Sequence, residues 1–190
     1  MLATAVTSTA QSGDLPTVTP TLLHSFVDPA GIGSPTSLAA APDGSALFTT
    51  DGWQGRHAAL VRVRPDGSVR RIHEFSTDEV LRPALALGVN ALFYGVTHGG
   101  AAGCGRVFSV EPGDLVRQVY AYTSLDGVCD PTTVVAGVDG VIYVSARIVS
   151  GSETGSWSVL RIEPDASITP RAFTLRVPVA AVTPDGTAFG

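Results

Sequence analysis

The sequence contains no lysine; all twelve of its basic residues are arginine. Codon bias in a GC-rich genome explains this more simply than a demand for guanidinium forks on phosphate. Charge of either sign is scarce, at 15% of residues against the usual share of about 25%, and the net charge is −5. With no basic patch or basic helix, nucleic acid is excluded as a partner. No apolar run reaches the roughly 18 residues that a membrane helix needs. The first twenty residues lack the basic and apolar regions of a complete secretory signal. Residues 1–16 therefore read as a flexible lead-in, and 17–190 as one domain. Only two cysteines are present, without the closely spaced His or carboxylate partners of a zinc site. Asp28, Asp78, Asp126 and Asp130 show no regular calcium-ligand spacing. No His-Glu-x-x-His, Gly-x-Ser-x-Gly or triad pattern appears, so no metal, cofactor or catalytic residue is expected.

What the chain does have is apolar residues, 44% of the total, enough for a substantial core and too many for disorder. It also has 21 glycines and 13 prolines, which imply many turns. The prolines reveal a repeat: Pro35, Pro83, Pro131 and Pro178 lie 48, 48 and 47 residues apart. Each precedes a short apolar run and a turn. Pro65, Pro112 and Pro164 follow in phase, after alternating segments such as "LVRVRPDG". Closing aromatics recur at Phe26, Phe75, Tyr122 and Phe173, and further aromatics at Phe48, Tyr94, Tyr143 and Phe189.

Each unit holds four strand-like segments and none with a helical period. In the third, Val61 and Val63, Phe108 and Val110, and Leu160 and Ile162 alternate with Arg62, Ser109 and Arg161, as in a strand. Four strands in about 48 residues, repeated, predict an all-β fold, a β-propeller of four-stranded antiparallel blades. The blades are expected at 27–75, 76–122 and 123–173, with a partial blade at 174–190. Closed propellers use about four to eight blades, so the chain is expected to be an incomplete propeller, with the remainder of a longer repeat array beyond it.

The stretch "FYGVTHGGAAGCGRVFSVEPG" resembles the GloVer tandem repeat. That family joins an aromatic-Tyr-Gly-Thr-Thr segment, a Gly-Gly loop, a Gly-Thr-Val-Phe strand and a Pro-x-Gly turn, then closes on an "LHSF" segment. Here Tyr94, Gly95, Thr97, Gly99, Gly100, Gly105, Val107, Phe108, Pro112 and Gly113 match, as do "LLHSF" at 22–26 and "RIHEF" at 71–75. The first and third copies lack the double glycine and the Gly-x-Val-Phe. The resemblance implies a secreted or surface-attached bacterial protein with no assigned catalytic activity.

Loops after strands two and four of each blade must emerge on one face, because strands alternate in direction. Those loops (27–34, 51–58, 76–82, 98–105, 123–130 and 147–157) vary, whereas the turns on the other face are short and stereotyped. Cys104 and Cys129 fall in the variable set, and a disulfide between them is expected, favouring an oxidising compartment, extracellular or at the cell surface. The glycines around Cys104 lead into no helix and so form no nucleotide loop. His24 and His73 share a repeat position and read as structural. Asp51, Trp53, His57, His98 and Trp157 lie on the variable face and are the candidate ligand-binding residues. The expected function is a non-enzymatic scaffold or binding module, whose partner is a glycan or a surface protein. The alternative is a propeller lyase or glycan-active enzyme, which a cluster of His, Glu or Arg near the axis on that face would favour.

Overall fold

The computed structural model describes residues 33–51, 57–183 and 187–190. The lead-in, the segment 17–26 with Phe26 and His24, Asp28, and Trp53 lie outside them. Each repeat unit folds as an antiparallel meander. Blade one comprises β1 (Pro35–Ala40), β2 (Ala46–Thr50), β3 (Ala59–Val63) and β4 (Val69–Glu74). Blade two comprises β5 (Glu79–Leu87), β6 (Phe93–Gly99), β7 (Gly103–Glu111) and β8 (Leu115–Thr123). Blade three comprises β9 (Val128–Ala136), β10 (Ile142–Ile148), β11 (Trp157–Ile162) and β12 (Ile168–Leu175). A two-stranded sheet, β13 (Ala181–Val182) with β14 (Ala188–Phe189), begins a fourth. The one helical element among the described residues is the 3-10 turn Ser124–Asp126. The small-residue first strands pack in series, β1 on β5 and β5 on β9. This is the arrangement of a β-propeller, with its first strands innermost.

The core lies between blades, not within them. Phe75, Phe93, Phe108 and Leu60 fill the space between blades one and two. Tyr94, Val107, Ile142 and Leu160 fill the next, and Tyr143 and Val159 the third. The faces that neighbouring blades turn to each other are therefore covered, and Arg62 and Ser109, the polar positions of the third strands in blades one and two, do not face open solvent. Arg62, which alternates with Val61 and Val63, lies only 11% exposed against blade two, where its Nε donates to Asp114 Oδ1 at 2.7 Å. Its guanidinium also sits 5.6 Å from the Phe93 ring centroid.

Strand register corrects one landmark. Arg62 pairs with Leu47, Ser109 with Tyr94 and Arg161 with Tyr143. Leu47, not Phe48, is thus the counterpart of Tyr94 and Tyr143. Phe48 matches Gly95, since these two pair with the equivalent residues Val61 and Phe108.

Five of the turns on the stereotyped face share one device. Asp43, Asp66, Asn90, Asp139 and Asp165 each accept, through Oδ1, the N–H two residues onward at 2.8 to 3.1 Å. Such side-chain turns reverse the chain without tertiary help. The Ser45, Ser68 and Ser167 hydrogen bonds hold the carboxyls of Asp43, Asp66 and Asp165 below their ordinary range.

Candidate functional site

Register places three different residues at one repeated position, just past the partner of the residue three before Arg62, Ser109 and Arg161 in the third strands. Thr50 pairs with Ala59, Thr97 with Arg106 and Ala146 with Ser158, so Asp51, His98 and Arg147 follow at equivalent points of blades one, two and three. All lie on the face of the variable connections. Asp51 closes its own blade: its Oδ1 accepts from Ser34 N at 2.7 Å and its N–H donates to Ser34 O at 3.1 Å. Arg147 is exposed, with its guanidinium 6.0 Å from the centroid of the Trp157 ring.

His98 reaches across to the next blade. Its Nδ1 lies 2.9 Å from Asp130 Oδ1, and Arg82 forms an ion pair with the same oxygen. Arg82 is in β5 and Asp130 in β9, so two adjacent innermost strands supply the pair. Asp130 has φ 57°, left-handed backbone for a residue that also precedes a proline. That combination is disfavoured and tends to occur where a side chain must be aimed. Beside it, Cys104 and Cys129 form a disulfide with Cα atoms 4.4 Å apart. The bridge joins β7 of blade two to β9 of blade three, so it fixes Asp130 across the blade boundary.

Two expectations about placement need correcting. Cys104 and Cys129 lie in strands, not loops, because β7 starts at Gly103 and β9 at Val128. Trp157 is likewise the first residue of β11, half-buried and paired with Arg147 and Leu175. Positive φ at Gly99, Gly100 and Gly103 tightens the connection after β6 to a few residues and lets both strands run on. His57 precedes β3 in blade one, its Nδ1 buried and unpaired among the described residues. Asp51, His57, His98 and Trp157 are thus spread over three blades, and only His98 joins a cluster. Arg82 and Asp130 were not singled out as ligand-binding by the sequence. Their signal was present: they stand directly before Pro83 and Pro131, charged and unlike in repeats that otherwise agree.

A second ion pair lies further out in blade two. Glu79 Oε1 accepts from Arg106 Nε at 2.5 Å and Oε2 from Arg106 Nη2 at 3.1 Å. The Arg106 guanidinium lies 5.7 Å from the Phe75 ring centroid, and the Phe75 ring meets that of Phe108 at a tilt, with centroids 5.3 Å apart. Cavities among the described residues include the following three. One of about 440 Å³ lies on the stereotyped face between blades one and two, around Arg62, Arg64, Arg70 and Asp114. One of about 310 Å³ borders Glu79, Arg106 and the glycines 99, 100 and 105. The third, about 270 Å³, lies between blades two and three and is lined by Tyr120, Tyr122, Leu125, Asp126, Val128, Ser158, Leu160 and Pro170. The Tyr122 hydroxyl is buried and has no hydrogen-bond partner among the described residues. Burial first, then Tyr120 and Asp126, push its pKa well above the ordinary tyrosine value. No three His, Cys, Asp or Glu side chains among the described residues converge as metal ligands would, and no helix among them is long and apolar enough to cross a membrane.

No family model matches the sequence, and no curated protein matches it. The fold is similar to that of solved propellers. One is a gluconolactonase from Xanthomonas campestris, 17% identical, with a TM-score of 0.56 over 87% of this chain and 56% of that one. Another is a luciferin-regenerating enzyme, 12% identical, with a TM-score of 0.57 over 86% of this chain and 54% of that one. The chain thus spans a little over half the length of the solved structures it matches. At these identities the likeness defines the class, a β-propeller.

Proposed function

We propose that this protein is an extracytoplasmic ligand-binding propeller module, a GloVer-type repeat segment whose recognition site is the inner rim of the variable face. The observation that carries the reading is the Arg82, His98 and Asp130 cluster, assembled from two blades and aimed by a left-handed Asp130. Such a cluster offers a cation, a carboxylate and a ring nitrogen within one small area, suited to a polar glycan or a surface-protein loop. The disulfide beside it supports an oxidising compartment. Asp130→Asn tests the reading, because Asn tolerates left-handed backbone while losing the charge. Against a ligand selected on a glycan and surface-protein array, this substitution should weaken binding by about tenfold or more, a difference of about 1.4 kcal/mol. An unchanged Kd in a variant that folds normally would remove the cluster from the site.

A second reading is supported by the same cluster. A histidine beside a carboxylate and an arginine near the axis of the variable face is a candidate general base. Two of the similar folds are enzymes by name, a gluconolactonase and a luciferin-regenerating enzyme. On this reading His98 would activate water against a lactone or ester. Following acid release from aldonolactones decides between the two. Turnover that His98→Gln abolishes supports the enzyme, and hydrolysis no faster than the buffer rate eliminates it.

A further inference from the structure

The three repeats differ in charge beside the cavity of about 440 Å³ between blades one and two. Arg62 pairs with Arg70 across β3 and β4, as Ser109 pairs with Arg117 and Arg161 with Thr169. Two residues after Arg62, Ser109 and Arg161 stand Arg64, Glu111 and Glu163. In blade two Glu111 Oε1 accepts from Arg117 Nε at 2.5 Å. In blade three Glu163 Oε1 accepts from Arg161 Nη2 at 3.0 Å. Each of those blades therefore neutralises its own arginine. Blade one has arginine at all three positions and no acid among them.

Blade two supplies one carboxylate in compensation. Asp114 sits in the turn after β7 at φ 70°, the left-handed point where the turn of blade one has Gly67 at 80°. Its Oδ1 accepts from Arg62 Nε at 2.7 Å, and Arg62 Nη1 donates to Ser45 Oγ at 2.9 Å. Arg62 is thereby fixed in the wall. Arg70 reaches the same carboxylate through Nη1 at 3.3 Å, and its side chain is 59% exposed. Arg64 forms no ion pair among the described residues. It acts on Asp66 through charge alone, and Asp66 Oδ1 already takes the Ser68 N–H. The other two acids at the cavity are committed, Asp43 to the Ser45 N–H and Glu111 to Arg117. Counted with Arg117, the charged groups around the cavity leave one positive charge unmatched.

The lining narrows the occupant. One surplus positive charge suits a monoanion, whereas a phosphate dianion would exceed it beside the fixed Asp114 carboxylate. Arg64 and Arg70 are exposed guanidiniums, whose planar forks match a carboxylate. No side-chain hydroxyl or amide lines the cavity; its uncharged side chains are those of Ala41, Pro42, Ala91, Phe93, Val110 and Pro112. A sugar would find no neutral partner there for its hydroxyls, whereas a hydrocarbon body meets carbon. We propose that this cavity binds an organic monocarboxylate with a compact apolar body. The carboxylate bridges Arg64 and Arg70, and the body lies against Pro42, Ala91 and Pro112. The site is on the opposite face from Arg82, His98 and Asp130 and shares no residue with them, so it stands apart from the inner-rim reading.

The test titrates the full chain with benzoate and hexanoate, and with benzamide and inorganic phosphate as controls, by calorimetry and NMR. At least one of the two carboxylates should bind with a Kd on the order of 1 mM. It should move the amide signals of Arg64, Arg70, Gly113 and Asp114. Benzamide, which has the shape of benzoate without its charge, should bind at least about tenfold more weakly. Arg64→Glu gives blade one the acid that the other two blades have. It should weaken carboxylate binding by about tenfold or more without lowering Tm. Asp130→Asn should leave that binding unchanged, so the two sites fail or succeed separately. Four outcomes would overturn the proposal. They are no carboxylate binding at tens of millimolar, benzamide binding as well as benzoate, phosphate binding more tightly than either carboxylate, or binding that survives Arg64→Glu in folded protein. Should Arg64→Glu not fold, Arg64→Gln, which removes the charge alone, decides by the same measure.

Discussion

At the scale of single residues, Gly95 and Phe108 explain why the middle repeat carries its particular motif. The two are cross-strand partners on β6 and β7. A methyl group on Gly95 would meet the Phe108 ring well inside van der Waals contact. Phe108 is fully buried and cannot swing away. The glycine of "FYG" and the phenylalanine of "RVF" are therefore one packing unit, an aromatic ring laid over a residue with no side chain. Gly95→Ala should destabilise the fold by about 1–3 kcal/mol, the usual cost of overpacking. Thermal unfolding monitored by circular dichroism reads this directly, and an unchanged Tm would show that the ring has room. Both residues were visible in the sequence as part of a motif. Their partnership was not, because it depends on a register that only pairing fixes.

At the scale of elements, the stereotyped turns were the most legible feature and still contain a surprise. Gly44, Gly67 and Gly140 take positive φ after their aspartates, as the Pro-Asp-Gly and Val-Asp-Gly strings imply. At the matching point of two other turns, Ala91 and Ala166 are held at φ 60° and 67°. An L-residue with a β-carbon is strained there by roughly 1–2 kcal/mol. Ala166→Gly should therefore raise stability, by about 0.5–1 kcal/mol after the entropy of the added glycine is set against the relief. Chemical denaturation would reveal a higher midpoint at constant m-value, and a lower midpoint would refute the strain. The variable connections are less legible. The strand pattern of the repeat leaves Cys104, Cys129 and Trp157 in the connections between strands. The strands run through these positions because pairing with a neighbouring strand outweighs weak local preference.

At the largest scale, the three four-stranded units of this chain and their strand order follow from periodicity, which needs no long-range information. Convergence between blades does. Nothing local in "RP" and "DP" announces that Arg82 and Asp130 will meet, or that Tyr122 will face Leu160 where Phe75 faces Phe108. The disulfide belongs to this scale because it links two blades across a sequence separation of 25. A closed loop of that size is worth about 3 kcal/mol through the unfolded chain. Replacing both cysteines by serine should remove roughly that amount and loosen the boundary between blades two and three first. Hydrogen exchange should then show faster amide exchange in β9 than in β1, whereas a uniform loss across all blades would place the bridge's effect elsewhere.

The same bridge also decides how the chain would carry a mechanical load. It joins the start of β7 in blade two to the start of β9 in blade three, so the sulfur–sulfur bond runs in parallel with almost all of β7 and the whole of β8. Tension applied along the backbone would cross that bond and leave the outer half of blade two slack. Covalently, the middle blade is a short tether carrying a side loop. The strand that supplies Tyr120 and Tyr122 to the cavity between blades two and three hangs on that loop, outside the path of the force.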